Sequence, residues 1–277
     1  MNKTSSRLYL IIRWVILIAV LLLIYLPLIM IIVYSFSTSK SIGGSFESFT
    51  FGHYEQLFEN EALLAALKNT LIIGLSSAAL ATLLGTTASI GIHYMRRKFK
   101  SAVDTASQIT VVNAEIVTAM SFFLFILFLR DTVKVPVDFS FGWLIITHTV
   151  ITTPYVILTV TPRLKQLNPN LLEAAMDLGA GRMRSLFTVM LPQLAGAMVS
   201  GFALAFTLSL DDFVVTSVNA NNIGVETIST FVYSRFKRGM PSAIRALSTI
   251  IFVVVLVALI AYNVTKSRKA KKQAKRG

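Results

Sequence analysis

The chain of 277 residues has no cysteine, and Asp, Glu, Lys and Arg together make up only 14% of it. Without a thiol there are no disulfides and no thiolate metal ligands. So little charge excludes an ordinary soluble domain, in which about a quarter of residues are charged. Three catalytic signatures are also missing. No glycine-rich phosphate loop with its lysine occurs, so ATP is not bound by that route. No His-Glu-x-x-His pair occurs, and His53, His93 and His148 are scattered. No Gly-x-Ser-x-Gly elbow occurs. The expectation is a chain with no catalytic residue, no metal site and no cofactor of its own.

What the chain does have is apolar surface. It is 55% hydrophobic, with a mean hydropathy of +0.70. The apolar residues come in blocks of about 20, the length of helix that crosses about 30 Å of hydrocarbon. The expected fold class is therefore all-α. One polytopic membrane domain covers residues 1–277, with six transmembrane helices near 14–34, 69–92, 106–129, 139–160, 194–212 and 247–264. Lys3, Arg7 and Arg13 precede the first block and no small-residue cleavage site follows it, which reads as an uncleaved span. Pro27 is placed to kink that span. Residues 35–67 read as a polar loop carrying Glu47, Glu55, Glu59 and Glu61. The second span is rich in Gly, Ala, Ser and Thr, which let helices approach closely in lipid.

The basic residues set the topology. With the N-terminus inside, 18 of the 26 lysines and arginines fall on the inner side, seven of them in the tail from Lys266 to Arg276. Lys40, Lys68, Arg130, Lys134, Arg235, Lys237, Arg238 and Arg245 fall outside or at outer span ends. The excess puts both termini and the loop 162–193 in the cytoplasm. The tail contains no aromatic residue for base stacking, so it reads as a solvated segment beside anionic lipid and not as a nucleic-acid arm.

Within that loop, residues 168–193 read as helix, break, helix. Asn168 suits a cap and Pro169 the first helical position. Leu171, Leu172, Ala175 and Leu178 recur at helical spacing, and Glu173 suits the positive end of the dipole. Gly179 and Gly181 stop the helix, which restarts over Arg182–Met190 before Pro192 marks the next apolar run. An ordinary amphipathic loop helix would share this periodicity. The fixed offsets do more: Glu173-Ala174-Ala175, Gly179, Val189 and Leu191-Pro192 resemble the EAA loop of permease subunits of binding-protein-dependent ABC importers. Val189 stands where that family usually has Ile. The resemblance implies the type I ABC importer permease fold, with Glu173, Ala174, Ala175, Gly179, Leu191 and Pro192 in ATPase coupling. It further implies a homologous permease partner, two ATPase subunits that hold the ATP and magnesium, and an extracytoplasmic binding protein, in a bacterial cytoplasmic membrane.

The remaining chemistry is intramembrane acid. Asp211 and Asp212 close the fifth span about 25 Å along a helix from Leu194, and Glu115 lies about 14 Å past Ala106 in the third. Acids at such depths are costly and stand out as functional candidates, and an adjacent pair should face water or a cation. A hydrogen bond to a neighbouring helix is the alternative role for Glu115, and the expected role for His148. Phe206-Thr207-Leu208-Ser209-Leu210-Asp211-Asp212-Phe213 resembles a segment of polyamine importer permeases of the spermidine and putrescine type. Residues Ile228–Ser234, Arg238-Gly239, Pro241 and Ala246–Thr249 are similar to the same family's outer loop and sixth span. Glu115-Ile116-Val117 falls where that family carries an acid in span three. The likeness extends over most of the chain and is closest to the second of the two permeases in such systems. Two positions depart from the pattern: Asn113-Ala114 replaces a frequent proline, and Ile228 a frequent Leu-Pro.

Polyamines are chains of ammonium groups, which carboxylates pair with and aromatic faces attract. Asp211, Asp212 and Glu115, with Tyr155 or Trp143 as aromatic walls, are the expected ladder for such a cation; a lipid-facing or packing role is the alternative for either aromatic. An ABC permease for another solute, such as ferric ion, and an ATPase-independent channel are the rival readings.

Overall fold

A computed structural model of the chain describes residues 3–39, 46–168, 170–220, 223–236 and 242–274. Lys40, Pro169, Lys237, Arg238, Gly239, Pro241 and Arg276, which carry expectations stated above, lie outside the described residues. The fold is all-helical, as its composition requires. Among the described residues the one extended pairing is a single antiparallel bridge between Ser37 and Phe49.

Among the described residues four helices are long and apolar enough to cross a membrane: Ile12–Ser35, Glu61–Tyr94, Phe141–Gln166 and Arg182–Asp211. Phe99–Val112 and Glu115–Thr132 qualify only as a pair, bent by 105° at their junction, and Ser242–Val257 is the apolar part of a helix that continues to Ala274. Four of the six expected spans are thus continuous helices of this kind, or five if the bent pair is one span. The chain divides into two compact units, residues 1–64 with 232–277, and residues 65–231.

The first unit holds α1 (Lys3–Ser35), α2 (Gly52–Glu59), the first turn of α3 (Glu61–Tyr94), the end of α11 (Ile228–Phe236) and α12 (Ser242–Ala274). α1 stays helical through Pro27. Within the expected polar loop over 35–67, residues 52–59 and 61–67 are helical. In α2, His53 and Leu57 lie four residues apart and are both buried, so one face of a short amphipathic helix packs inward. α12 packs against α1 and α2. Arg245 of α12 is buried and donates to the carbonyls of Tyr34 (3.3 Å) and Ser39 (2.9 Å). The first of these belongs to the last turn of α1, where carbonyls have no intrahelical donor. One of the cations counted on the outer side is therefore a buried helix-end clamp. The backbone of the basic tail continues α12 as helix to Ala274 and is not a loose segment.

The second unit holds α3, α4 (Arg97–Val112), α5 (Glu115–Leu127) with its π turn (Phe128–Thr132), and α6 (Phe141–Gln166). It continues with α7 (Leu171–Asp177), α8 (Arg182–Ser185), a π turn (Leu186–Met190), α9 (Leu191–Asp211) and α10 (Val214–Ala220). Its core is the packing of α3, α6 and α9, in which Ala78, Ala81, Val156, Val160, Leu194 and Ala205 are buried together. Small side chains on α3 and α9 let α6 come close. A methyl group placed on Gly85 would lie 2.7 Å from Val156, and one on Gly201 would lie 2.9 Å from Thr159 Oγ1. Ser77–Ser209 (3.1 Å) and Thr161–Ser89 (3.2 Å) hydrogen bonds tie α3 to α9 and to α6. Such bonds satisfy hydroxyls that hydrocarbon would leave unpaired.

Two expected spans are redrawn. The third is not one helix over 106–129: Asn113 and Ala114 are extended (ψ 144° and 131°), and they end α4 and begin α5. The break needs no proline because local groups take up the freed bonds. Asn113 Nδ2 donates to Thr118 Oγ1 at 3.0 Å, and the Ala114 carbonyl accepts from the Val117 and Thr118 amides. The fifth begins well before Leu194, since the helical run continues from Arg182. Pro192 has no N–H to offer, and just before it the Leu191 amide reaches back five residues to the Leu186 carbonyl, which makes the π turn.

Candidate functional site

The polar loop takes the helix–break–helix form that its residues suggest. Asn168 Oδ1 accepts from the Asn170 amide (3.0 Å) and its carbonyl from the Leu171 amide (3.2 Å), which closes the turn that starts α7. Glu173 is in the first turn of α7 and exposed, beside exposed Ala174 and half-buried Ala175. Gly179 ends the helix in the left-handed region (φ +85°). No atom lies within 4 Å of where its Cβ would be, so glycine is required here by backbone conformation and not by space. Gly181 does not stop α7; it is the extended residue that opens α8. Leu178 is 90% exposed, and Met183 and Phe187 stand out as well, which leaves an apolar edge on this loop. Leu191 and Pro192 open α9.

The acids are brought together by the fold. Glu115, Tyr155, Asp211 and Asp212 line one cavity of about 160 Å³, with His148 and Phe213 also in its wall. Among the described residues no lysine or arginine lines it. Glu115 comes from the start of α5, Tyr155 from α6 and Asp211 from the last turn of α9, so three helices contribute. Separate stations along a ladder, at about 14 and 25 Å, were expected for Glu115 and the aspartates; both instead face one cavity, because the break at Asn113 redirects the chain. Trp143 does not reach the cavity. Its indole is buried against Phe122 and Phe125, and Nε1–H donates to Asn219 Oδ1 at 3.3 Å. The amide of Asn219 in turn donates to the Val215 and Ala119 carbonyls, a packing role.

The neighbouring aspartates differ. Asp211 is exposed to the cavity, as is Glu115, and among the described residues neither side chain makes a hydrogen bond or ion pair. Asp212 has an extended backbone and a side chain only 13% exposed. Its Oδ1 accepts from the Val215 amide (3.2 Å), and its Oδ2 from the Thr216 amide and hydroxyl (both 2.9 Å). His148, 2% exposed at its side chain, lies between Ser209 (Nδ1, 2.8 Å) and Thr216 (Nε2, 3.1 Å). The interhelical hydrogen bond expected of His148 is present on both ring nitrogens. Ser77, Ser209 and Thr216 were not singled out in the sequence, since lone hydroxyls in apolar helices most often bond their own backbone. Among the described residues no three His, Asp or Glu side chains are grouped to hold a metal.

Comparison with known proteins follows the same lines. The family described as "Binding-protein-dependent transport system inner membrane component" matches residues 81–269. The chain is 34% identical over 248 residues to the spermidine/putrescine transport system permease protein PotC of Escherichia coli (strain K12), covering 90% of this chain and 91% of that protein. It is 32% identical over 253 residues to the putrescine transport system permease protein PotI of the same organism, covering 90% and 89%. A chain of a bacterial ABC transporter involved in the import of the acidic polysaccharide alginate has the same fold. Its TM-score is 0.68 at 18% identity, over 96% of this chain and 98% of that one. With the family matched across the α3-to-α12 helices and the polyamine permeases matched nearly end to end, this chain belongs to the inner-membrane components of binding-protein-dependent transport systems.

Proposed function

We propose that the chain is the membrane-spanning permease subunit of an ATP-driven importer for polyamines of the spermidine and putrescine class. The observation that carries this reading is the cavity: three carboxylates and an aromatic pair line it, and among the described residues no cation does. A substrate with several ammonium groups suits such a wall through charge-assisted hydrogen bonds and cation–π contacts. An anionic substrate does not. The names of the similar permeases support the same substrate class.

In this reading residues 1–277 act as one permease domain of six spans, with both termini cytoplasmic. The translocation path runs past Glu115, Asp211, Asp212 and Tyr155, with Trp143 bracing its wall from behind. A homologous permease completes the path, and an extracytoplasmic binding protein delivers the substrate. Two ATPase subunits carry the ATP and magnesium; this chain binds no cofactor and catalyses nothing. They dock on α7 through Glu173, Ala174, Ala175 and the apolar edge at Leu178, with Gly179 shaping the turn and Leu191-Pro192 carrying motion into α9. ATP binding shifts the spans between outward- and inward-open states by differential contact at that surface.

Ferric ion is the rival substrate and an ATPase-independent channel the rival class. The deciding experiment is ATPase activity of the reconstituted complex with its binding protein, with spermidine, putrescine or ferric ion, for wild type and the Asp211→Asn/Asp212→Asn double variant. Polyamine stimulation in wild type that disappears in the variant is the expected result. Stimulation by ferric ion alone would discard the polyamine reading, and a purified complex without any ATPase subunit would favour the channel.

A further inference from the structure

The hydrogen bonds around His148 have one consistent direction. Thr216 has a single hydroxyl proton and gives it to Asp212 Oδ2. The Thr216 oxygen 3.1 Å from His148 Nε2 must therefore accept, so Nε2 carries a proton. With the imidazole neutral, Nδ1 is then an acceptor, and Ser209 donates to it at 2.8 Å. Ser209 in turn accepts from Ser77 at 3.1 Å, a proton that Ser77 shares with the Gly74 carbonyl at 3.2 Å. The relay runs Ser77, Ser209, His148, Thr216, Asp212, and joins α3, α9, α6 and α10. His148 Nε2 and Asp212 Oδ2 are 3.6 Å apart, too far for a direct hydrogen bond, so the coupling passes through Thr216.

We propose that His148 is a positioning residue: acting through Thr216, it commits Asp212 to the α9–α10 junction, so that only Glu115 and Asp211 meet the ammonium groups of the substrate. This rests on the cation-permease reading above and assigns different tasks to two adjacent acids. Asp212 already accepts three protein donors, which occupy most of the roughly four lone-pair sites of a carboxylate. About one site is left for a substrate ammonium, on a side chain only 13% exposed. Asp211 and Glu115 have no such donors and face the cavity. The role of Asp212 is to hold the turn at residues 212–213, which sets where Asp211 stands.

The test compares polyamine uptake with ATP hydrolysed in the same proteoliposomes, using the whole transporter with its ATPase and binding-protein subunits. Asp211→Asn and Glu115→Gln should each lower uptake per ATP by about tenfold, the loss expected when one charged contact to the moving cation is removed. His148→Leu, Thr216→Val and Asp212→Asn should lower uptake and ATP hydrolysis together, with the ratio kept within about threefold. His148→Gln, which retains a donor toward Thr216, and Thr216→Ser, which retains the hydroxyl, should restore most of the rate and separate the relay from simple misfolding. The His148→Leu and Thr216→Val effects should be non-additive when combined, because both cut one link. If Asp212→Asn lowers uptake per ATP as much as Asp211→Asn does, Asp212 contacts substrate and the inference falls. Wild-type His148→Leu behaviour also overturns it. Absence of polyamine uptake by the wild-type transporter would instead sink the functional reading, and this inference with it.

Discussion

Gly85 of α3 lies directly on Val156 of α6: a Cβ added to the glycine would come 2.7 Å from the valine Cβ and 2.8 Å from its Cγ1. Both atoms belong to a stiff, β-branched side chain, and the Thr153 carbonyl is 3.2 Å away. Val156 is fully buried and also meets the position of a Gly201 side chain, at 3.1 Å, so it is held between two glycines. In lipid, where apolar surface is not driven together by water, this close approach supplies the packing. Gly85→Val and Gly201→Val should each destabilise the second unit by about 1–3 kcal/mol through overpacking. Gly91 has open space where a Cβ would go, so Gly91→Ala is the matched control. Thermal unfolding of the purified transporter measures the difference.

Gly179 makes a different demand. Its φ of +85° costs an L-residue roughly 1–2 kcal/mol, although its surroundings are empty. Gly179→Val should therefore change the end of α7 without altering membrane insertion, and lower the ratio of stimulated to basal ATPase activity. Gly179→Asn should lose less, since asparagine visits that region more readily. Equal loss in both variants would indicate that side-chain bulk at a docked surface, and not backbone shape, is what matters.

Leu178 and Phe187 are exposed apolar side chains on this loop, with exposed Asp177, Arg182 and Arg184 beside them in the chain. Full burial of a leucine contributes about 1.5–3 kcal/mol, and 1.4 kcal/mol corresponds to tenfold in affinity. Leu178→Ala should weaken ATPase-subunit retention by roughly tenfold in a pull-down at increasing dilution. Glu173→Lys, which reverses a favourable charge at the start of α7, should weaken it further. Retention equal to wild type in both variants would move the docking surface elsewhere on the loop.

Trp143 offers a test of what is wall and what is brace. Trp143→Phe removes the donor to buried Asn219, and an unsatisfied buried group costs about 1–3 kcal/mol. Transporter stability should fall by that order while the preference between spermidine and putrescine stays as in wild type. Tyr155→Phe keeps the ring that lines the cavity and removes its hydroxyl, so its effect should appear in uptake and not in the unfolding temperature. A changed polyamine preference in Trp143→Phe would return the indole to the substrate path.

Several features were legible in the sequence because they depend on near neighbours. Hydropathy alone marks Trp14–Tyr34, and the helix Lys3–Ser35 contains it. Periodicity, an asparagine turn and a glycine at the right place yield α7 and its stop, since these forces act within one or two helical turns. The acids stand out as well, because a carboxylate in an apolar run is costly wherever the run packs. Which acid does what was not legible. Glu115 and Asp212 are far apart in the chain and meet only through the break at Asn113-Ala114, where two extended residues turn an expected single span by 105°. Asp211 and Asp212 are adjacent and chemically identical, yet one ends a helix facing the cavity and the other turns into the donors of α10 and the reach of His148. The sequence leaves Trp143 open as wall or packing residue, and its ring lies against Phe122 and Phe125, because the direction of a side chain depends on which helices lie beside it. Composition and local pattern determined that this chain is a bundle of apolar helices with intramembrane acids and a structured polar loop. The meeting of α5, α6, α9 and α10 around one cavity decided which of those acids accept protein donors, because packing between helices distant in sequence obeys contacts that no single segment contains.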